Sequence, residues 1–450
     1  MSGSAAREAR MVDGGRTAAA ERDGDGDGDG VSLERVTALL ARLAGMLLAA
    51  SGEGASEVER TVARVGAGFG ARTSMVLVPD GAALTVLLGG RTATVAVRSF
   101  PDVARLDKVA ALKPWAHRVA RGGTPLAEAE RRLAAIDGAP APYPWWLRGL
   151  GIVLFTVGFA PLMQPTWYEI GSSALLGLVT AVLAVAAGRW PRLARVLPLV
   201  AATAVSVLVL EVFARTPAHG GAVLLMLPAL FYFVPGDLLS AAAVELAAGF
   251  LTTGAVRLVY AVFLLLQLYL GVMLGVYATG GDTSAMFDVA AHADLPRWAT
   301  FLSWVVFTLG TVLAFAVPWR LLPVLLGTVY LTVAVQSGAT KLVGEVGGTF
   351  VAAVALGALA TVVAAGPGRP PRMLLALPGF FTLTVGSLGM RGLTSLAGGH
   401  AVRGFHDLLS MVTTVVAIAV GLLVGSVLAQ RPQPLPVFPD YPAAAPPPLP

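Results

Sequence analysis

Between about Leu147 and Ala429 the sequence is a succession of apolar runs, each about as long as a lipid bilayer is thick. Nothing else in the chain constrains its fold as much. Lipid offers no hydrogen bonds to a peptide group, so a spanning segment must satisfy its own backbone. Composition agrees, with 56% of residues hydrophobic and 13% charged. Ten spans are predicted, at about 147–163, 169–187, 195–213, 221–236, 255–278, 299–318, 321–337, 347–365, 373–390 and 406–429. The fourth and ninth are short, and Asp237 to Gly254 is an amphipathic segment that suits an extra helix.

The apolar region also repeats. Pro228 to Gly275, shifted by 150 positions, lies without a gap over Pro378 to Gly425. Gly236, Gly249, Gly254, Gly271 and Gly275 meet Gly386, Gly399, Gly404, Gly421 and Gly425, Pro228 meets Pro378, and Phe231 meets Phe381. A second match at the same shift sets Leu175-Leu176-Gly177 against Leu325-Leu326-Gly327. Five spans per copy is an odd number, so the second copy must enter the bilayer from the other side. Inverted repeats of this kind are characteristic of transporters.

Arginines orient the array. With the first span leaving the cytoplasm, the cytoplasmic connections hold Arg189, Arg192 and Arg195, then Arg257, Arg320, and Arg369 with Arg372, while Arg431 follows the last span. The longest external loop, 279–297, carries Asp282, Asp288 and Asp294 against Arg297 alone. This satisfies the positive-inside rule and places both ends in the cytoplasm.

The flanking sequence is different. Residues 1–31 are polar, end in an Asp-Gly alternation and suit a disordered segment, and no signal peptide is expected. Residues 32–139 read as a cytoplasmic α+β domain of order ααβββαα. Its first helix buries Val36, Leu39, Leu40, Leu43, Met46 and Leu47 on one face. A second helix covers about 55–70, strands cover Thr73 to Val78, Ala83 to Leu88 and Thr92 to Arg98, and turns fall at Asp80-Gly81 and Gly89-Gly90. A helix from about Val103 to Ala120 is expected to be interrupted near Pro114, and the last to start with Thr124 as N-cap. Trp145-Trp146 and Arg148 mark entry into the membrane interface. The fold class is thus mainly α: a polytopic membrane protein with ten transmembrane helices in two inverted five-helix repeats, 145–296 and 297–430, preceded by the small α+β domain. A disordered Pro-rich tail, 431–450, follows.

Proline and charge within the apolar region point to the chemistry. Pro228 and Pro235-Gly236 lie inside one span, with Pro378, Gly386 and Ser387 at the matching positions. Proline removes a backbone donor and breaks the helix, so freed carbonyls suit an ammonium group and a new helix N-terminus suits a carboxylate. An amino acid needs both. Gln267 and Gln336 are uncharged polar groups in apolar runs, suited to substrate contact or to helix–helix hydrogen bonds. Asp237 and Glu245 follow the break and are candidates for proton coupling. Arg257 and Asp407 occupy equivalent ends of the two repeats, where opposite charges can pair. No metal site is expected from His400 and His406, and no cofactor. The absence of cysteine excludes disulfides and thiolate chemistry. Nucleic acid is not an expected partner, whereas lipid and a small molecule are, and a homo-oligomer is compatible with the sequence.

Several residues of the N-terminal domain resemble the threonine/serine exporter family: Ser51-Gly52 followed by Val58-Glu59, Val65 and Gly70, then Arg105-Leu106 with Val109, Gly122-Gly123-Thr124 and Glu128-Ala129. The layout of a cytoplasmic domain followed by ten spans is also similar, over about residues 32–429. One position departs, because Glu57 stands where the family carries a basic or aromatic residue. The resemblance implies a plasma-membrane secondary exporter of threonine and serine, driven by the proton gradient or membrane potential. Its alternatives are export of dicarboxylates such as succinate, or a hydrolase role for the cytoplasmic domain. An enzyme is not expected, since His117 sits among Arg118 and Arg121 and no G-x-S-x-G motif is present.

Overall fold

The computed structural model describes residues 31–49, 54–78, 81–98, 105–213, 221–247, 249–280, 294–366, 369–383 and 401–430. Its N-terminal part is built from α1 (Leu33–Ala49), α2 (Ala55–Ala67), β1 (Arg72–Val78), β2 (Gly81–Leu88), β3 (Arg91–Arg98), α3 (Leu106–Ala120) and α4 (Leu126–Asp137). The strands form an antiparallel sheet in the order β1-β2-β3. Gly89 and Gly90, both at positive φ, make the two-residue turn between β2 and β3, whose twist matches the strands. Val36, Leu40, Leu43, Val62, Leu84, Val86, Leu112 and Leu133 close a core between sheet and helices.

Two local expectations are corrected. Helix α3 runs unbroken through Pro114, because Leu112, Trp115, Ala116 and Val119 are buried on either side of it and hold both parts to the same core. Helix α4 is entered at Pro125, whose carbonyl accepts from Glu128 and Ala129 at 3.0 Å, and no side chain caps it.

The remaining chain is helical: α5 (Trp145–Met163), α6 (Trp167–Ala187), α7 (Pro191–Leu208) with a π turn (Val209–Phe213), α8 (Ala222–Leu230) with a 3-10 turn (Phe231–Phe233), α9 (Gly236–Ala247), α10 (Leu251–Ala278), α11 (Arg297–Ala314), α12 (Leu322–Ala364), α13 (Arg372–Thr382) and α14 (Ala401–Ala429). Among the described residues seven helices are long and apolar enough to cross a membrane, and α8 and α13 are shorter apolar helices. One of the seven, α12, is 43 residues long and leaves helical geometry at Gly344, where φ is 76°. Gln336 Nε2 donates to Thr349 Oγ1 at 3.1 Å across this point. In a straight helix those residues would stand about 20 Å apart. The chain therefore reverses at Gly344, and α12 is a hairpin of two helices.

Close helix contacts recur in matched pairs. A Cβ on Gly158 of α5 would lie 2.2 Å from the Phe307 nitrogen of α11, and one on Gly310 of α11 would lie 2.1 Å from the Phe155 nitrogen of α5. A third contact sets Gly151 against Ala314, so the two helices run antiparallel, backbone against backbone. The residues involved belong to one motif written twice, Val153-Leu154-Phe155-Thr156-Val157-Gly158 and Val305-Val306-Phe307-Thr308-Leu309-Gly310. Likewise Gly271 and Gly275 of α10 pack on the carbonyls of Leu199 and Thr203 in α7. Their counterparts Gly421 and Gly425 of α14 pack on those of Phe350 and Val354 in α12. Both are small-xxx-small contacts, which let helices approach where lipid provides no hydrophobic drive. The match of Gly177 to Gly327 does not extend to packing. Gly177 rests on Thr156, while Gly327 has open space around it, and it is Thr180 and Thr332 that meet the matched positions Ala229 and Gly379.

Two outcomes test this packing. Gly310→Val forces a side chain into the Phe155 backbone and is expected to destabilise by about 1–3 kcal/mol or more. It should lower the thermal unfolding temperature in detergent, whereas Gly327→Val should leave it unchanged. In the N-terminal domain, Arg42 bonds Asp137 Oδ2 at 2.7 and 3.0 Å, and this, opposed by burial and helped by Lys108, holds the Asp137 carboxyl below its ordinary value of 3.8. A depressed acid stabilises above its unfolded value and loses that contribution as pH falls through the folded one. Amide exchange at the end of α4 should therefore rise as pH drops below the ordinary carboxylate range, and Arg42→Met should weaken that dependence, leaving the part that Lys108 supplies.

Candidate functional site

Helix α8 ends in the 3-10 turn at Phe231–Phe233, and α9 starts afresh at Gly236. Pro235 cannot donate a backbone hydrogen bond, and only short-range bonds cross the gap: Val234 N to Phe231 O at 3.1 Å and Gly236 N to Val234 O at 2.8 Å. The expected break is therefore present at Val234-Pro235, with the positive end of the α9 dipole opening at Gly236. Pro228 itself lies inside α8 without breaking it, and Pro378 likewise inside α13, both buried. Gly386 and Ser387 lie outside the described residues.

Aromatic rings surround the break. Phe231 stacks on Phe159 with centroids 3.9 Å apart and meets Phe381 edge-on at 5.8 Å, so the two matched phenylalanines touch each other. Phe155 lies 5.0 Å from Phe307, its own counterpart, and 5.6 Å from Phe381. A Cβ on Gly236 would come within 2.9 Å of the Phe380 ring. The first break is thus seated against the helix that carries Pro378.

Charge is distributed unevenly. Glu245, 2% exposed on α9, pairs with Arg257 Nη1 on α10 at 3.3 Å. The ion pair found for Arg257 is local to one helical hairpin, while Asp407 lies 3.9 Å from its neighbour His406. Asp237 occupies the first turn of α9. Gln336 holds the α12 hairpin through Thr349, and Gln267 buries its side-chain oxygen on α10 with no hydrogen-bond partner.

A second polar group lies at the turn between α5 and α6. Gln164, Thr166, Glu169, Ser172 and Ser173 are all buried, and Glu169 has no exposed surface. Thr166 caps α6 by accepting from Glu169 N at 3.0 Å, but both Glu169 carboxyl oxygens, Ser173 Oγ and Gln164 Nε2 lack hydrogen-bond partners. Trp167 and Trp298, half-exposed or more with centroids 6.2 Å apart, flank this end of the bundle.

The sequence profile described as "Putative threonine/serine exporter" matches residues 39–278. The chain belongs to this threonine/serine exporter family. It is also 24% identical over 449 residues to a protein of Mycobacterium tuberculosis (strain ATCC 25618 / H37Rv) named "Probable threonine/serine exporter", covering 88% of this chain and 76% of that one. No solved structure matches. The exporter profile takes in the N-terminal domain, the break at Pro235-Gly236, the Glu245–Arg257 pair and the Glu169 turn. It ends at Ala278, the last residue of α10.

Residues of the exporter motif in the N-terminal domain serve local structure. Glu57, the departing position, pairs with Arg60 at 2.9 Å and Arg64 at 3.1 Å on the α2 surface. Arg105 forks onto Asp107 and reaches the Ala139 carbonyl at 2.9 Å, tying α3 to the linker before α5. His117 is held below its ordinary value by burial and then by Arg121, Arg64 and Lys113. Lys113 itself donates to the carbonyls of Ala364 at 2.7 Å and Pro370 at 3.2 Å, and Tyr143 to Val317 at 2.8 Å, which docks the domain on the ends of α11 and α12.

Glu169 and its neighbours were not among the sequence candidates. Position 169 reads as the interfacial start of a span, and only its place on the same helical face as Ser173 and Thr180 signals burial. For the Glu245–Arg257 pair, truncating one partner should be costly. Arg257→Met removes the cation beside a buried carboxylate and should destabilise by up to about 3–5 kcal/mol. The double variant Glu245→Gln/Arg257→Met should recover most of that loss in thermal unfolding.

Proposed function

We propose that this chain is a secondary active exporter of threonine and serine in the cell membrane, working by alternating access between two inverted five-span repeats. One observation carries this reading: α5 and α11 share a motif, run antiparallel and exchange equivalent contacts, Gly158 on Phe307 and Gly310 on Phe155. Antiparallel counterparts are what a two-fold axis in the membrane plane requires. In this reading the α12 hairpin counts as two passes and the short apolar helices α8 and α13 as one each, which added to the other candidate spans makes ten, five on each side of residue 297.

In this reading 145–296 and 297–430 are the repeats, 32–139 is a cytoplasmic domain, and both ends of the chain are cytoplasmic. The substrate binds at the break between α8 and α9, against the helix that carries Pro378. Gly236, backed by Pro235, offers a helix N-terminus to the amino-acid carboxylate. The freed carbonyls near Pro228 and Pro378, with the Gln267 oxygen and the Gly386-Ser387 segment, take the ammonium and hydroxyl groups. Rocking about the α5–α11 contact then exposes the site to either side, driven by the proton gradient or membrane potential. Asp237, Glu245, Arg257 and Asp407 are the charged groups nearest the moving ends.

The test is a metabolite efflux profile. A strain lacking the chain, loaded with threonine- or serine-containing dipeptides, should retain the released amino acid, and complementation should restore protonophore-sensitive efflux. Restored efflux of dicarboxylates with unchanged threonine and serine would overturn the substrate assignment.

A further inference from the structure

The carboxylate that Glu245 presents has a cation beside it, Arg257 Nη1 at 3.3 Å. Glu169 is the contrasting case. It sits in the first turn of α6, has no exposed surface, and neither carboxyl oxygen has a donor. Ser173, one turn further along the same face, buries its hydroxyl without a partner, as Gln164 at the end of α5 buries its amide nitrogen. Four buried polar atoms of three side chains, spread from the end of α5 over the first two turns of α6, thus lack hydrogen-bond partners, which buried polar groups ordinarily have.

We propose that Glu169, with Gln164 and Ser173 around it, is the site that binds the coupling proton. The proposal rests on the reading of this chain as a gradient-driven exporter.

Among the described residues no other titratable group supplies the missing partner. On the elements packed against α6, Arg148 of α5 and Arg192 and Arg195 of α7 stand at the opposite ends of their helices. Glu211 lies in the π turn after α7, and α8 carries no charge. Asp294 and Arg297 are exposed before α11, with Asp294 accepting from Trp167 N at 3.1 Å, and Tyr168 donates to the Phe213 carbonyl at 3.0 Å. None of them bonds the Glu169 carboxyl.

An ionised carboxylate enclosed in this way would be an uncompensated interior charge, so the closed turn accommodates the neutral acid. The cycle follows from that. When this end of the bundle opens, the carboxylate takes one proton from water there as the amino acid leaves. The neutral acid is then enclosed, and opening toward the opposite side returns the proton to water as the next amino acid binds. Trp167 and Trp298 put the turn at one interface, remote from the N-terminal domain that docks on the ends of α11 and α12. Proton entry at that end and export through it run in opposite directions, which is antiport.

The full chain in proteoliposomes decides the matter through two transport assays and one spectrum. Threonine accumulation driven by a pH gradient requires net proton movement, whereas threonine–threonine exchange without a gradient does not. Glu169→Gln copies the neutral acid, so it should keep exchange and lose gradient-driven accumulation to the level of empty liposomes. It should also lose the infrared C=O band of a neutral carboxylic acid, and Glu169→Asp should restore driven transport. Driven transport that persists in Glu169→Gln, with a wild type that is gradient-dependent, overturns the assignment alone. Loss of exchange in Glu169→Gln with an unchanged thermal unfolding profile also overturns it, because the carboxyl would then serve the substrate. A wild type indifferent to the proton gradient overturns the coupling in the parent reading, and this assignment with it.

Discussion

Two hydrogen atoms hold the architecture together. Gly158 and Gly310 carry no side chain, and that alone lets α5 and α11 meet backbone to backbone across their antiparallel seam. Between helices surrounded by lipid, attraction comes from close van der Waals contact rather than from expulsion of water. The aromatic core depends on this approach. Phe155 and Phe307 sit one turn from the glycines and face each other. They complete a cluster in which Phe231 and Phe381, from the two short helices, also touch. The same device recurs at Gly271/Gly275 and Gly421/Gly425, which dock α10 on α7 and α14 on α12.

Much of this was legible because lipid simplifies the problem. Apolar run length pointed to the helices, seven of which are long enough to cross a membrane, alternating strands with a Gly-Gly turn gave the three-stranded sheet, and paired glycines marked two close helix contacts. The errors are instructive. Pro114 was expected to interrupt a helix, but buried residues on both sides outweigh the missing donor. The Gly177/Gly327 match was a coincidence of letters. The motif that makes the central seam, Val-x-Phe-Thr-x-Gly, is displaced by two positions from the shift that aligns the later helices, so a single rigid offset passed over it.

Site residues were harder to read, for a physical reason. A sequence shows which groups are polar but not which have found partners. Gln336 and Glu245 look like solitary polar groups in apolar text, yet one bonds Thr349 and the other pairs with Arg257. Glu169 looks interfacial, yet its carboxyl is enclosed without a hydrogen bond. Partnership is set by tertiary packing, and it is what separates a structural polar group from one with chemistry left to do.

The docking of the N-terminal domain has a mechanical consequence. Lys113 binds the carbonyl ends of two segments, Ala364 and Pro370, and Tyr143 binds Val317, all beyond α11's start, although the domain is joined covalently to α5. The domain is therefore a strap laid across the bundle in parallel with the α5–α11 seam. Any movement that parts the helix ends beneath it must first stretch these hydrogen bonds, together with the one from Leu106 N to the Phe315 carbonyl at 3.4 Å. The strap sets a threshold force at one end of the bundle that the other end, at Trp167 and Trp298, does not feel.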